Sequence, residues 1–248
     1  MSTPSFLETP SGRRLAYHAT EGVGTGIVFL GGFMSDMAGT KAVHLEQWAT
    51  AQGRPFLRFD YSGHGQSEGA FEDGTIGKWA EDATAAIGTL TAGPQILVGS
   101  SMGGWISLLL CRRQSVDIAG LVTIAAAPDF TEDGFWAGFS KAAQEDLMAH
   151  GSIQVPSDYD DPYTVTRALI EDGRRNLVLR EPLVLFSPTR FLQGTADTDV
   201  LVETAMALFN HADGEDIRLT LVKGADHRFS EPANLAHIEA AILEVSAQ

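Results

Sequence analysis

Short apolar runs alternate with longer helix-patterned stretches along most of the chain, and no other feature constrains the fold as strongly. The runs are Ile27–Leu30, Pro55–Phe59, Gln95–Val98, Gly120–Ile124, Arg190–Gln193 and Arg218–Val222. Between and after them, helical spacing marks Lys41–Gln52, Ile76–Thr91, Met102–Arg112, Leu201–His211 and Pro232–Val245. This order predicts an α/β architecture: a largely parallel sheet covered by helices on both faces. Leu15–His18 is expected to add an antiparallel strand near the start. No repeat or linker separates two cores, so residues 1–248 are expected to form one domain. With 44% hydrophobic residues, a chain of this length can bury a sizeable core.

The alternation breaks once, between Pro128 and Arg190. That stretch includes FTEDGFWAGFSKAAQEDL and IQVPSDYDDPY, too long for a simple connection. It predicts a small cap inserted over the sheet's C-terminal edge, at about residues 129–188.

Charge and cysteine content exclude several classes of function. A formal charge of −15 disfavours nucleic acid, which needs clustered Lys and Arg, and disfavours an anionic membrane surface. Cys111 is the single cysteine, so no internal disulfide can form. The first twenty residues lack the apolar stretch of a signal peptide and the repeated arginines of a transit peptide. No apolar run approaches eighteen residues, so no stable membrane insertion is expected. These features predict a cytoplasmic protein.

The strongest chemical signal is Gly99-Ser100-Ser101-Met102-Gly103, between QILV and WISLLL. It fits G-x-S-x-G on a strand–turn–helix, the geometry that lifts a serine hydroxyl above a sheet. Ser101 is the candidate nucleophile, and Ser100 lies one residue out of register. A serine needs a base held by a third group. His227 follows the apolar strand RLTLV through a short polar loop, whereas His211 and His237 fall in helical patterns and His150 in the cap. The acid is expected after RFLQ, where Asp197 and Asp199 both occur. Asp197 has the better spacing, and Asp199 has the alternative role of capping the next helix. Asp129, after an earlier strand, is the outlying candidate. For the oxyanion, Met102 would supply one backbone N–H, and Phe33 in Gly31-Gly32-Phe33 the second.

Other signals carry less chemistry. Asp60-Tyr61-Ser62-Gly63-His64-Gly65 reads as a turn, with His64 a structural hydrogen-bonding residue. Gly22 to Gly26 precedes a strand and reads as a turn, not a dinucleotide fingerprint. No HExxH or paired-cysteine pattern appears, so neither a metal nor an organic cofactor is expected. Phe130, Phe135, Trp136 and Phe139 either line an acyl pocket or pack the cap onto the body; Phe135, Trp136 and Phe139 are the substrate-binding candidates.

The blocks GGFMSDMAGTKA, LRFDYSGHGQSEG, GKWAEDA and GPQILVGSSMGGW, with the ADH that ends at His227, resemble the α/β-hydrolase superfamily over essentially the whole chain. Within it, they are most similar to the mitochondrial abhydrolase-domain thioesterases and acyl-glucuronide esterases and their bacterial relatives. The resemblance implies the α/β-hydrolase fold, with Ser101, Asp197 and His227 at the positions of nucleophile, acid and base. It implies a serine esterase or acyl thioesterase whose partner is a small-molecule ester or thioester, or an acylated protein. The cap is the least matched part, so substrate preference carries over poorly. Two other readings share the fold: a carbon–carbon bond hydrolase or peptidase with the same triad, and a ligand-binding module without turnover.

Overall fold

The structure, a computed structural model, describes residues 3–156 and 162–246. The chain runs through β1 (Ser5–Glu8), β2 (Arg14–Thr20), β3 (Gly26–Leu30), α1 (Thr40–Ala51) and β4 (Phe56–Phe59). It continues with α2 (Ile76–Leu90), β5 (Gln95–Ser100), α3 (Met102–Arg113) and β6 (Ile118–Ile124). After a π-helical stretch at Thr131–Trp136 come α4 (Lys141–His150), β7 (Ser152–Val155), β8 (Tyr163–Thr166), α5 (Arg167–Arg175) and the short β9 (Leu183–Val184). The last elements are β10 (Thr189–Gly194), α6 (Val202–His211), the short β11 (Ala212–Asp213), β12 (Ile217–Val222) and α7 (Pro232–Ser246).

Eight strands form one sheet in the order β1-β2-β4-β3-β5-β6-β10-β12. The six from β4 to β12 are mutually parallel, and β2 runs antiparallel to both β1 and β4. Every residue of β3 and β5 is buried, which is why both read as unbroken apolar runs. Along β3, side chains alternate between two cores. Ile27 and Phe29 pack with Leu45 of α1 and Ile238 and Ile242 of α7. Val28 and Leu30 pack with Trp79 of α2 and Trp105 and Leu108 of α3. Helices therefore cover both faces, as the alternation predicts.

The stretch between β6 and β10 joins the core on the α2/α3 side through Leu147, Val165, Leu169 and Ile170. It packs as the helices α4 and α5 and the antiparallel β7–β8 hairpin, while part of the IQVPSDYDDPY segment lies outside the described residues. Its anchor is Asp129, fully buried after β6. One Asp129 oxygen accepts the Val178 N–H at 2.7 Å; the other accepts Leu179 N–H at 3.0 Å and an Arg180 N–H at 2.9 Å. Both oxygens of this carboxylate are taken up by these structural ties. Asp129→Asn replaces one acceptor oxygen with an amine facing these donors, and we expect a loss of about 2 kcal/mol or more. Urea unfolding of the two proteins measures it.

Candidate active site

The turn from β5 to α3 places Ser101 in a conformation that non-glycine residues rarely adopt, at φ 54° and ψ −116°. The surrounding backbone holds it there. Ser101 N–H donates to Ile124 C=O at 2.9 Å, and its own carbonyl accepts from Gly104 and Ala127. A Cβ on Gly103 would lie 2.1 Å from the Leu30 carbonyl oxygen, so α3 can start this close to β3 only with glycine there. The hydroxyl thus stands at a helix N-terminus, whose amides and dipole favour developing negative charge.

The loop after β3 passes beside it. A Cβ on Gly32 would come within 3.4 Å of Ser101 Cβ, which places the Gly31-Gly32-Phe33 backbone next to Ser101. Phe33 is wedged edge-on among Phe71, Trp79, Phe130, Phe135 and Tyr163, at centroid distances of 4.9 to 6.0 Å. That cage orients the backbone on which Phe33 N–H sits. Met102, the second expected donor, is the first residue of α3 and is fully buried.

Asp197 and His227 come from the loops after β10 and β12. Because these strands pair in parallel, with Gly194 opposite Val222, both loops leave the sheet at the same edge. His227 Nδ1 lies 2.9 Å from Asp197 Oδ2. The Asp197 carboxylate also accepts backbone N–H bonds from Asp199 and Val200, at 2.9 and 2.8 Å. Burial alone would push its carboxyl up, but His227 and the two backbone donors outweigh burial and hold it below the ordinary aspartate value. Gln193 Nε2 donates to the same Oδ2 at 3.1 Å, a positioning contact that the sequence reading does not anticipate. The only hint of it is an amide side chain at the end of a buried strand, four residues before Asp197.

Ser101, His227, Gly32 and Phe33 line one cavity of about 800 Å³. Phe130, Phe135, Pro156 and Tyr163 form its apolar wall, so of the three substrate-binding candidates only Phe135 is among the described lining residues. Phe139 stacks behind Phe135, with rings 6.2 Å apart and 5° from parallel. Trp136 turns to Arg174, whose guanidinium sits 4.4 Å from its ring. Neither is among the described residues that line the cavity. Trp136 directly follows Phe135 in the helical stretch Thr131–Trp136, so its side chain points in another direction.

Other candidates fall elsewhere. The N-cap of α6 is Leu201 without a side-chain cap, so Asp199 does not cap that helix and instead lines the cavity. His211 is half-buried with its Nε2 2.8 Å from Glu181 C=O, His237 is exposed, and His150 pairs with Asp146 on the surface. His64 is buried against Tyr61, Phe71 and Trp79 and its Nδ1 meets Ser62 C=O. Burial lowers its pKa to about 4, so it is neutral and structural. Burial likewise pushes the Cys111 thiol up to about 12, which leaves it unreactive. Among the described residues, no group of three or more His, Cys, Asp or Glu is placed to hold a metal, and no helix is long and apolar enough to cross a membrane.

A parallel sheet with helices on both faces, a strained serine between strand and helix, and a His–Asp pair at the same edge define an α/β-hydrolase. Residues 26–169 match the family model described as serine aminopeptidase, S33, and the chain belongs to this family of α/β-hydrolases. It is 34% identical over 236 residues to the mitochondrial palmitoyl-protein thioesterase ABHD10 of Bos taurus, covering 93% of this chain and 76% of the relative. Among solved structures, a putative hydrolase from Agrobacterium vitis S4 superposes with a TM-score of 0.93 at 37% identity, covering 98% of each chain. Mouse alpha/beta hydrolase domain-containing protein 10 gives 0.90 at 30% identity, again over 98% of each chain.

Proposed function

We propose that this hydrolase cleaves carboxylic esters and acyl thioesters through an acyl-enzyme on Ser101. The observation that carries the reading is the 2.9 Å Asp197–His227 pair opening into the cavity that Ser101 lines. The names of the thioesterase relatives support the substrate class. Ser101 Oγ attacks the acyl carbon, and His227 Nε2 takes its proton. Asp197 accepts from Nδ1–H, which fixes the tautomer and stabilises the imidazolium. Backbone N–H groups of Met102 and Phe33 hold the oxyanion. As the tetrahedral species collapses, the bond to the leaving group breaks and His227 gives that group its proton. Water, deprotonated by His227, then attacks the acyl carbon and releases the acid and Ser101. No step requires a cofactor. The 129–188 stretch acts in this reading as a cap that supplies the acyl wall.

Labelling with a fluorophosphonate tests for the activated serine, and turnover of matched esters, thioesters, amides and diketones tests the class. Labelling that maps to Ser101, together with turnover of the oxygen or sulfur esters, supports the proposal; no labelling and no turnover would leave a ligand-binding module. Peptide hydrolysis is the second reading, favoured by the aminopeptidase description of the matched family, and faster amide than thioester turnover would establish it.

The aromatic wall makes a separate prediction. Each methylene buried against it is worth about 0.8 kcal/mol, roughly fourfold in kcat/KM. Phe135→Ala is expected to flatten the rise of log kcat/KM with acyl length from acetyl to decanoyl. Trp136→Ala is expected to lower all lengths alike, because its ring contacts Arg174 and not the cavity. Parallel slopes for wild type and Phe135→Ala would remove Phe135 from the acyl pocket.

A further inference from the structure

The cavity's two sides differ in chemistry. Besides the aromatic wall, the cavity is lined by Lys41 from the first turn of α1, which reaches the loop that carries His227. Its Nζ donates to the carbonyl of Arg228, the residue next to the proposed base. Among the described residues, no carboxylate oxygen comes within ion-pair distance of that ammonium, and the Arg228 carbonyl is its one hydrogen-bond partner. Lys41 is half-buried, and its ammonium carries three donors, of which the Arg228 carbonyl engages one. The charged groups around it are Asp226, Asp197 and Arg228, with Asp36, Asp199 and His227 on the same cavity. Burial, which opposes its charge, is the largest influence and Arg228 adds to it; together they outweigh Asp226 and Asp197, which favour the charge.

The reaction assigns a direction to this side of the cavity. His227 protonates the leaving group, so the leaving group must lie where His227 stands. Lys41 is tied to that same loop. We propose that Lys41 is a specificity-determining residue that binds an anionic substituent carried by the leaving group, a carboxylate or a phosphate. The proposal rests on the hydrolase reading above. The bound anion completes the ion pair that the protein itself leaves open.

The test compares octanoyl thioesters of three thiols matched in length: 3-mercaptopropanol, 3-mercaptopropionate and 3-mercaptopropyl phosphate. Wild type is expected to favour one or both anionic thiols over the neutral one by about tenfold in kcat/KM, mainly through KM. The larger of the two preferences identifies the anion. Burial lowers Lys41 to about 8, so the lysine is cationic below that pH and neutral above it. Because kcat/KM reports free-enzyme ionisations, the preference should fade as pH rises through about 8. Lys41→Met should remove the preference, and Lys41→Arg should keep it at higher pH, since guanidinium stays charged. An equal fall for all three thioesters in Lys41→Met would reduce Lys41 to a strut of the His227 loop and overturn the proposal. Equal wild-type kcat/KM for charged and neutral thiols would also overturn it, without touching the hydrolase reading. Failure of wild type to cleave even the neutral thioester, with no serine labelled, overturns the hydrolase reading and this proposal with it.

Discussion

Ser101→Ala is expected to lower kcat for thioester hydrolysis by about 10⁴-fold or more while the protein stays folded. The elbow is built from backbone contacts that the substitution leaves in place: the N–H bond to Ile124 and the carbonyl bonds from Gly104 and Ala127. Alanine carries the same Cβ in the same left-handed conformation, so the strain at φ 54° neither grows nor relaxes. What disappears is the oxygen that forms the acyl bond. The remaining rate comes from oxyanion donors and binding, which act on water attack as well. Steady-state rates, the melting temperature and mass mapping of a fluorophosphonate adduct check the three parts of this result. Ser100 Oγ is the nearest competitor, since Ser100 also lines the cavity. It closes β5 in extended strand geometry and lacks the outward turn of Ser101. A fluorophosphonate adduct that forms in Ser101→Ala and maps to Ser100 would transfer the nucleophile role.

The elements that build this site were legible because their signals are local. The buried parallel strands β3 and β5 are apolar at nearly every position, and the glycines around Ser101 mark a turn whose sterics admit little else. What was missed depends on partners far away in sequence. β1 is a strand only because Ser5–Glu8 pairs with β2 at the sheet edge, and three of its four residues are exposed. Gln193 reaches Asp197 through a side chain on a strand whose every residue is buried, a pattern that predicts burial and says nothing of function. Trp136 shows the same limit: aromatic content suggests an acyl wall, but direction on a helical stretch turns this ring to Arg174. Likewise Asp199 fits the composition of a helix cap, yet the extended backbone at Leu201 takes the cap position.

The acid can be assigned by a pair of substitutions in one loop, because the surroundings of the two aspartates differ. Asp197→Asn is expected to cut kcat by about 10⁴-fold, and Asp199→Asn by less than about tenfold. Asp197 presents two oxygens to four donors: Oδ1 to the Asp199 and Val200 N–H groups, Oδ2 to His227 Nδ1 and Gln193 Nε2. Asparagine can keep only one of those faces. With its oxygen on the backbone donors, its amine faces His227 and makes Nδ1 an acceptor, so the proton moves to Nε2 and the base is lost. With its oxygen toward His227, the amine confronts two backbone N–H groups and the loop must open. Neither orientation retains a negative charge beside the imidazolium. Asp199 contributes a backbone N–H to this arrangement, which asparagine supplies equally well, and α6 does not use its side chain as a cap. Steady-state rates for both variants, with melting temperatures measured in parallel, decide the matter. A larger loss of kcat for Asp199→Asn, at unchanged stability, would move the acid role to Asp199 and reduce Asp197 to a brace for the loop.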